Sequence, residues 1–227
     1  MTPSMYPTFP LYEGKSIRIA PDGFSFYKQE GDKLKTRTFP NSSSALLSTE
    51  APLFFSPDDH IIVVAAQHVP MLVPAELYDA GKDRDYLALQ FDTTHLGSTF
   101  ADTVGAYKAV CFLTQNEKDT LDRMPFPYEV VAETTLLYRF LCEHDTNAAL
   151  FVAQNPDFTD ILVVQKDEPL CVNRFPLTEP ADTLFYICHI VKQFNLRDPQ
   201  VFLHFYAEEN KKLPQLLKTY KLNPVIL

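Results

Sequence analysis

The sequence predicts an α/β protein built by duplication, with two lobes that each run β-β-β-α-β-α into a mixed sheet. Strand-type and helix-type hydrophobic patterns alternate along the chain, the signature of layered α/β architecture. Residues 24–40 and 161–176 share one layout: a strand, a charged turn, a second strand, then Phe-Pro. Each is preceded by one more strand and followed by helix, strand and helix, the self-similarity of a repeated unit. The expected lobes are residues 1–145, opening on a proline-rich arm, and residues 146–227.

The first dozen residues, with Pro3, Pro7 and Pro10, are expected to form an extended, loosely held arm. Residues 16–20 make the first strand. Pro21-Asp22-Gly23 turns the chain into a second at 24–28, because Pro presets the first central turn position and Gly accepts positive φ. A turn at Glu30-Gly31-Asp32 leads to a third strand at 34–39, completing a meander. The Ser-rich stretch 41–44 caps a short helix through Leu46 and Leu47. Residues 60–66, apolar on both faces, read as a fully buried strand. A strand at 71–73 precedes a helical piece at 74–78, with Pro74 suited to its first position. Residues 86–91 and 106–113 are expected to be strands, and Asn116, with Asp119 three residues on, caps a short helix. Val131, Thr134, Thr135, Tyr138 and Leu141 then give an amphipathic helix ending near Glu143.

The second lobe repeats the opening. Strands are expected at 147–153, 159–164 and 170–175, joined by turns at Asn155-Pro156-Asp157 and Lys166-Asp167-Glu168. A helix capped by Thr178, with Pro180 in its first turn, buries Leu184, Ile187, Cys188 and Val191. A strand at 200–205, a helix with Leu213, Leu216, Leu217 and Tyr220 inward, and a closing strand at 225–227 complete the lobe.

Composition narrows the function classes. A hydrophobic fraction of 46% with 13% aromatics is enough to build a core. The net charge of -9 argues against nucleic acid as a partner, since a phosphate-binding surface needs clustered Lys and Arg. Lys211, Lys212, Lys218 and Lys221 form the one basic cluster, expected as a solvated helix face. The N-terminal residues show no secretory pattern, and the longest apolar runs are strand-sized, so no membrane insertion is expected. Cys111, Cys142, Cys171 and Cys188 lie far apart among apolar neighbours, which fits free thiols in a reducing cytoplasm.

Three stretches carry a family resemblance: residues 16–26, residues 72–78, and Asn173-Arg174-Phe175-Pro176 followed by residues 182–186. With them the chain resembles the uncharacterised bacterial family DUF3822. The tandem β-β-β-α-β-α order also resembles the actin-like ATPase (ribonuclease-H-like) fold of sugar kinases, chaperone ATPases and pilus-assembly proteins. That resemblance implies a site to look for. Such ATPases need an acidic residue at the end of the first strand of each lobe to hold Mg²⁺, and Gly-rich hairpins whose N–H groups embrace phosphates. Here the first strand ends at Ala20, with Asp22-Gly23 inside the turn, and its counterpart ends at Ala153 before Gln154-Asn155-Pro156-Asp157. Pro156 has no N–H to donate, and Asp157 brings negative charge toward a phosphate. Glu208-Glu209 stand where paired glycines would meet adenosine. The resemblance therefore implies a degenerate ATPase site.

Other clusters point to no chemistry. Asp58-Asp59-His60 with His68 lacks a helix-spaced pair or a third ligand, and Asp83 and Asp85 are expected in an exposed turn. His189 beside Cys188 does not face it, since adjacent helical residues diverge, and His204 lies in a strand. Six glycines leave room for few phosphate loops. Phe54, Phe55, Phe126 and Tyr128 near prolines, with Tyr6, Phe9 and Tyr12 in the arm, are candidates equally for an interface and for covering the core. No catalytic, cofactor-binding or metal-binding residue is assigned, and no cofactor is expected. The expected protein is a non-catalytic interaction or assembly adaptor with a protein partner, a homodimer being one form. The alternative is an enzyme or sensor taking a nucleotide or other small molecule in the interlobe cleft.

Overall fold

The computed structural model describes residues 14–40, 43–144, 146–179, 181–206 and 212–227. The arm, Pro180, Glu208-Glu209 and Lys211 lie outside them. Along the described chain, one compact unit runs to Leu136 and a second begins at Leu137.

In the first unit, β1 (Lys15–Ala20), β2 (Gly23–Glu30) and β3 (Lys33–Pro40) form the antiparallel meander, and α1 (Ser44–Phe54) leads to β4 (Ile61–Ala65). An insertion follows: β5 (Met71–Pro74), α2 (Asp83–Ala88), β6 (Leu96–Val104), β7 (Tyr107–Thr114) and α3 (Gln115–Asp122). Then β8 (Tyr128–Ala132) closes a five-stranded sheet of order β3-β2-β1-β4-β8, with β1, β4 and β8 mutually parallel. Strand alternation sends Ile17, Ile19, Phe24, Phe26, Ile61 and Val63 to one face, against Leu47 and Ala51 of α1 and Leu121 of α3. Phe26 is fully buried and meets Phe24, Phe39, Phe54 and Phe55 at ring-centroid distances of 5.2–5.5 Å. Phe55 and Phe126 are likewise core residues, 3% exposed, and Phe54 and Tyr128 pack against that core.

The insertion folds as a three-stranded antiparallel sheet, β5-β7-β6, with its own core of Val73, Leu87, Leu96, Val110 and Phe112. Here the structure departs from the pattern-based expectations. Residues 86–88 end α2 instead of opening a strand: Asp83 and Asp85 occupy its first turn, where a carboxylate meets the positive end of the helix dipole. The N-cap of α3 is Thr114, not Asn116. Its Oγ1 accepts from Glu117 N–H at 3.3 Å while Glu117 Oε2 accepts from Thr114 N–H at 2.8 Å, a reciprocal capping box. Pro74 ends β5 and caps a single 3₁₀ turn, Ala75–Leu77. Val131 belongs to β8, so α4 (Glu133–Cys142) starts later than its apolar pattern suggests.

In the second unit, β9 (Ala148–Gln154), β10 (Phe158–Gln165) and β11 (Glu168–Pro176) again form a meander. α5 (Asp182–Gln193), β12 (Gln200–Phe205), α6 (Leu213–Thr219) and β13 (Asn223–Ile226) follow. The sheet order is β11-β10-β9-β12-β13, strand for strand the order of the first sheet, with β9, β12 and β13 parallel. The hairpin between β10 and β11 turns on Lys166 and Asp167, both at positive φ (51° and 62°). Leu150, Val152, Ile161, Val163, Val201 and Leu203 bury one face against Ile187 and Ile190 of α5 and Leu213 and Leu217 of α6. On the other face Phe140 of α4 meets Phe151 and Phe202 edge-on at 5.9 and 5.2 Å. Two further expectations are corrected. The N-cap of α5 is Ala181; Thr178 instead donates its N–H and hydroxyl to Asp182 Oδ2, both at 2.8 Å. On the seven-residue α6 only Leu213, Pro214 and Leu217 are buried, leaving Leu216 and Tyr220 exposed.

No helix among the described residues is long and apolar enough to cross a membrane.

Candidate functional site

The carboxyl ends of parallel strands are where open α/β sheets place ligands, and in both units a hairpin turn stands beside that end. In the first unit β1 stops at Ala20, Pro21-Asp22 makes the turn, and Gly23 (φ +125°) opens β2. Ala66, just past β4, donates its N–H to Ile19 O at 2.8 Å, holding the two strand ends together. In the second unit Asn155-Pro156-Asp157 makes the turn, and Tyr206, just past β12, donates its N–H to Gln154 O at 3.0 Å. The two hairpins are thus built alike and share the dipeptide Pro-Asp.

What fills this place in the first unit is a cation. Arg18 alternates with Ile17 and Ile19, so its side chain leaves the apolar core and points to the opposite face of the sheet. Its side chain is 4% exposed, and the guanidinium donates from Nε to Oε1 of Glu133, the first residue of α4, at 2.6 Å. Nη2 reaches Oε2 at 3.4 Å, and Nη1 lies 3.9 Å from Asp22 Oδ1. Burial pushes the Tyr27 phenol on β2 up, and the Arg18 charge works against that rise. Asp102 of β6 secures the same helix start, accepting from Ala132 N–H at 2.7 Å and from the Thr135 hydroxyl at 2.9 Å.

These residues do not fit a Mg²⁺-nucleotide. A metal site needs free carboxylates, whereas Glu133 and Asp22 already face the Arg18 guanidinium. A phosphate cradle needs N–H groups turned outward. Pro21 and Pro156 have none, and the Asn155 N–H is spent inside the hairpin on Phe158 O at 2.9 Å. The Asn155 side-chain amide is 1% exposed and meets no hydrogen-bond partner among the described residues, and Asp157 is exposed. The third expected place, Glu208-Glu209, lies outside the described residues.

The remaining candidates are dispersed. Asp59 is ion-paired with Lys15 and accepts from Ser56 N–H at 2.9 Å; the Lys15 contact holds its carboxyl below the usual range. His60 is exposed near Glu129, whereas His68 stacks on Phe112 at 4.4 Å. Asp83 accepts from the Tyr78 hydroxyl at 2.9 Å, and burial together with that carboxylate pushes the phenol up to about 12. His189 stacks on Phe185 at 6.1 Å, and His204 meets Tyr206 edge-on at 4.4 Å. Burial pushes the Cys111, Cys142, Cys171 and Cys188 thiols up, away from the nucleophilic thiolate. Among the described residues no three His, Cys, Asp or Glu side chains are grouped to hold a metal ion. The Arg18–Glu133 pair escaped the sequence reading. Its one local signal was a charged residue at an alternating position in an otherwise buried strand.

Comparison with solved structures identifies the architecture as the actin-like ATPase fold. A Bacteroides thetaiotaomicron protein with an actin-like ATPase fold and unknown function superposes with a TM-score of 0.70, at 16% identity, covering 98% of this chain and 94% of that one. A chain of the PilM–PilN type IV pilus biogenesis complex gives 0.59 at 12% identity, over 96% and 89%. The ethanolamine utilization protein EutJ from Carboxydothermus hydrogenoformans gives 0.53 at 6%, over 94% and 84%. No curated protein matches the sequence. The model of the family described as protein of unknown function, DUF3822, matches residues 16–223, and the chain belongs to that family.

Proposed function

We propose that this chain is a non-catalytic protein of the actin-like ATPase fold that works in the cytoplasm through protein–protein contact, as an assembly adaptor. The observation that carries this is the buried Arg18 guanidinium, set against Glu133 and Asp22 where a nucleotide-bound metal would need free carboxylates. The Pro-Asp hairpins support it, since each removes a phosphate-facing N–H and adds a negative charge. One structural neighbour comes from the PilM–PilN type IV pilus biogenesis complex. The four cysteines are free thiols, in keeping with a reducing compartment.

A thermal-shift titration with Mg²⁺-ATP, Mg²⁺-ADP and Mg²⁺-GTP tests the proposal. A ligand that binds only the native state stabilises it by about 2.7 kcal/mol at a hundredfold excess over Kd. The expected result is an unchanged Tm at millimolar nucleotide. A saturable rise at micromolar nucleotide would overturn the proposal and favour a nucleotide sensor.

A further inference from the structure

The helix layer of the second unit carries apolar side chains on its outer surface. Phe185 on α5 is 65% exposed and Tyr220, at the end of α6, is 60% exposed; Leu216 on α6 and Val225 on β13 are exposed as well. Both helices lie on the same face of the sheet, anchored through Ile187, Ile190, Leu213 and Leu217, and α6 packs against both α5 and β13. Phe185 and His189 stand one helical turn apart and stack, as neighbours at i and i+4 do. Leu216 and Tyr220 are spaced the same way. A helix face that only meets water carries polar residues at such positions. Among the described residues β13 pairs with β12 alone and so ends its sheet.

Charge selects what covers it. From Asp182 on, the described residues hold five Lys and Arg against two Asp, in a chain whose net charge is -9. Lys192 on α5 and Lys212, Lys218 and Lys221 on or beside α6 are all exposed. An apolar surface rimmed by cations recruits a partner whose apolar side chains are interspersed with acidic ones. A second copy is a poorer occupant, because two chains of charge -9 repel at long range. We infer that the outer face of α5 and α6 docks an acidic, amphipathic segment of a different protein. This rests on the protein-interaction function proposed above and names the surface and the partner chemistry.

The test uses the full chain and two synthetic helical peptides, one with Leu and Phe along one face and Glu elsewhere, the other with Lys in place of every Glu. Fluorescence anisotropy is expected to show the Glu peptide binding at least tenfold more tightly than the Lys peptide, with affinity falling as salt rises. Phe185→Asp and Tyr220→Asp are each expected to weaken binding at least tenfold, and Lys218→Glu with Lys221→Glu to abolish the preference. All four positions are exposed, and an unchanged Tm verifies that each variant folds. Equal or absent binding of the two peptides overturns the inference, as does binding that survives both aspartate substitutions. Capture of the chain by phosphatidylserine vesicles through Phe185 and Tyr220, or a dimer in sedimentation that Phe185→Asp dissolves, overturns it in favour of a lipid or a second copy. These residues take no part in the nucleotide titration. Failure of the surface therefore leaves the non-catalytic proposal standing, and micromolar nucleotide binding would overturn that proposal without altering the peptide result.

Discussion

Arg18 and Glu133, far apart in sequence, face each other through Nε and Oε1 at 2.6 Å with side chains only 4% and 6% exposed. The pair joins the first strand of the sheet to the first residue of α4. Burying two charges is costly, and their mutual attraction offsets the cost only while both are present. Arg18→Met or Glu133→Gln alone is therefore expected to destabilise the fold by about 3–5 kcal/mol. The double variant Arg18→Met/Glu133→Leu is expected to recover much of that loss, because neither charge is left alone. Urea denaturation of the four species, analysed as a double-mutant cycle, measures the coupling.

Asp59 contributes a pH-dependent stability whose sign follows from its environment. The Lys15 contact lowers its folded pKa, against the opposing effect of burial. The folded carboxyl therefore lies below its unfolded value of about 3.9. Its contribution is complete above that unfolded value and disappears as pH falls through the folded one. Urea midpoints of the wild type and Asp59→Asn should differ at neutral pH and converge in strong acid. A gap that widened in acid would contradict the assignment.

Asp102 satisfies two donors at the start of α4 from a strand of the inserted sheet. A lost N-terminal cap costs about 0.5–2 kcal/mol. Asp102→Ala is expected near the upper end of that range, because Thr135 is buried and its hydroxyl loses its acceptor as well. Asp102→Asn, which keeps an acceptor oxygen, should lose less. Equilibrium denaturation separates the two.

Gly97 sits at a register shift between β6 and β7, between Leu96 and Ser98. A Cβ there would lie 2.7 Å from Thr114 O and 2.8 Å from Gln115 N and Cα, all backbone atoms. Gly97→Ala is expected to cost about 1–3 kcal/mol by overpacking. It should also loosen the start of α3, detectable as faster amide exchange at Glu117. Ala at the open Gly31 site differs in kind: beyond its two chain neighbours no atom of the described residues lies within 4 Å, and only its positive φ (+60°) is strained.

The fold was largely legible because its evidence is local. Both meanders announce themselves through two-residue alternation and turns that need Pro-Asp-Gly or positive φ. What stayed hidden depends on partners distant in sequence. β6 mixes small and polar residues, Leu-Gly-Ser-Thr-Phe-Ala-Asp-Thr-Val, and its middle is only half-buried, so it shows no clean alternation. Tyr86-Leu-Ala-Leu-Gln-Phe91 alternates like a strand, yet the acidic first turn at Asp83 and Asp85 and the burial of Leu87 make it helical. The candidate site divided in the same way. The proline and aspartate in each hairpin could be read directly, whereas Arg18 gained its meaning only when folding brought Glu133 beside it.

The insertion between β4 and β8 also bears on the order in which the molecule is made. In the second sheet Gln200 pairs with Asn223, so β12 gains its outer neighbour almost as soon as it is synthesised. In the first, Ile61 pairs with Tyr128, and β4 waits for the whole inserted sheet to emerge. At equilibrium the longer closure is cheap, about 1 kcal/mol by the logarithmic dependence of loop entropy on length. On the ribosome, at about 5–20 residues per second, the delay lasts several seconds. Throughout it the edge of Ile61, Val63 and Val64 stands open to any passing strand, so the nascent chain is most exposed to aggregation while its N-terminal half is still incomplete.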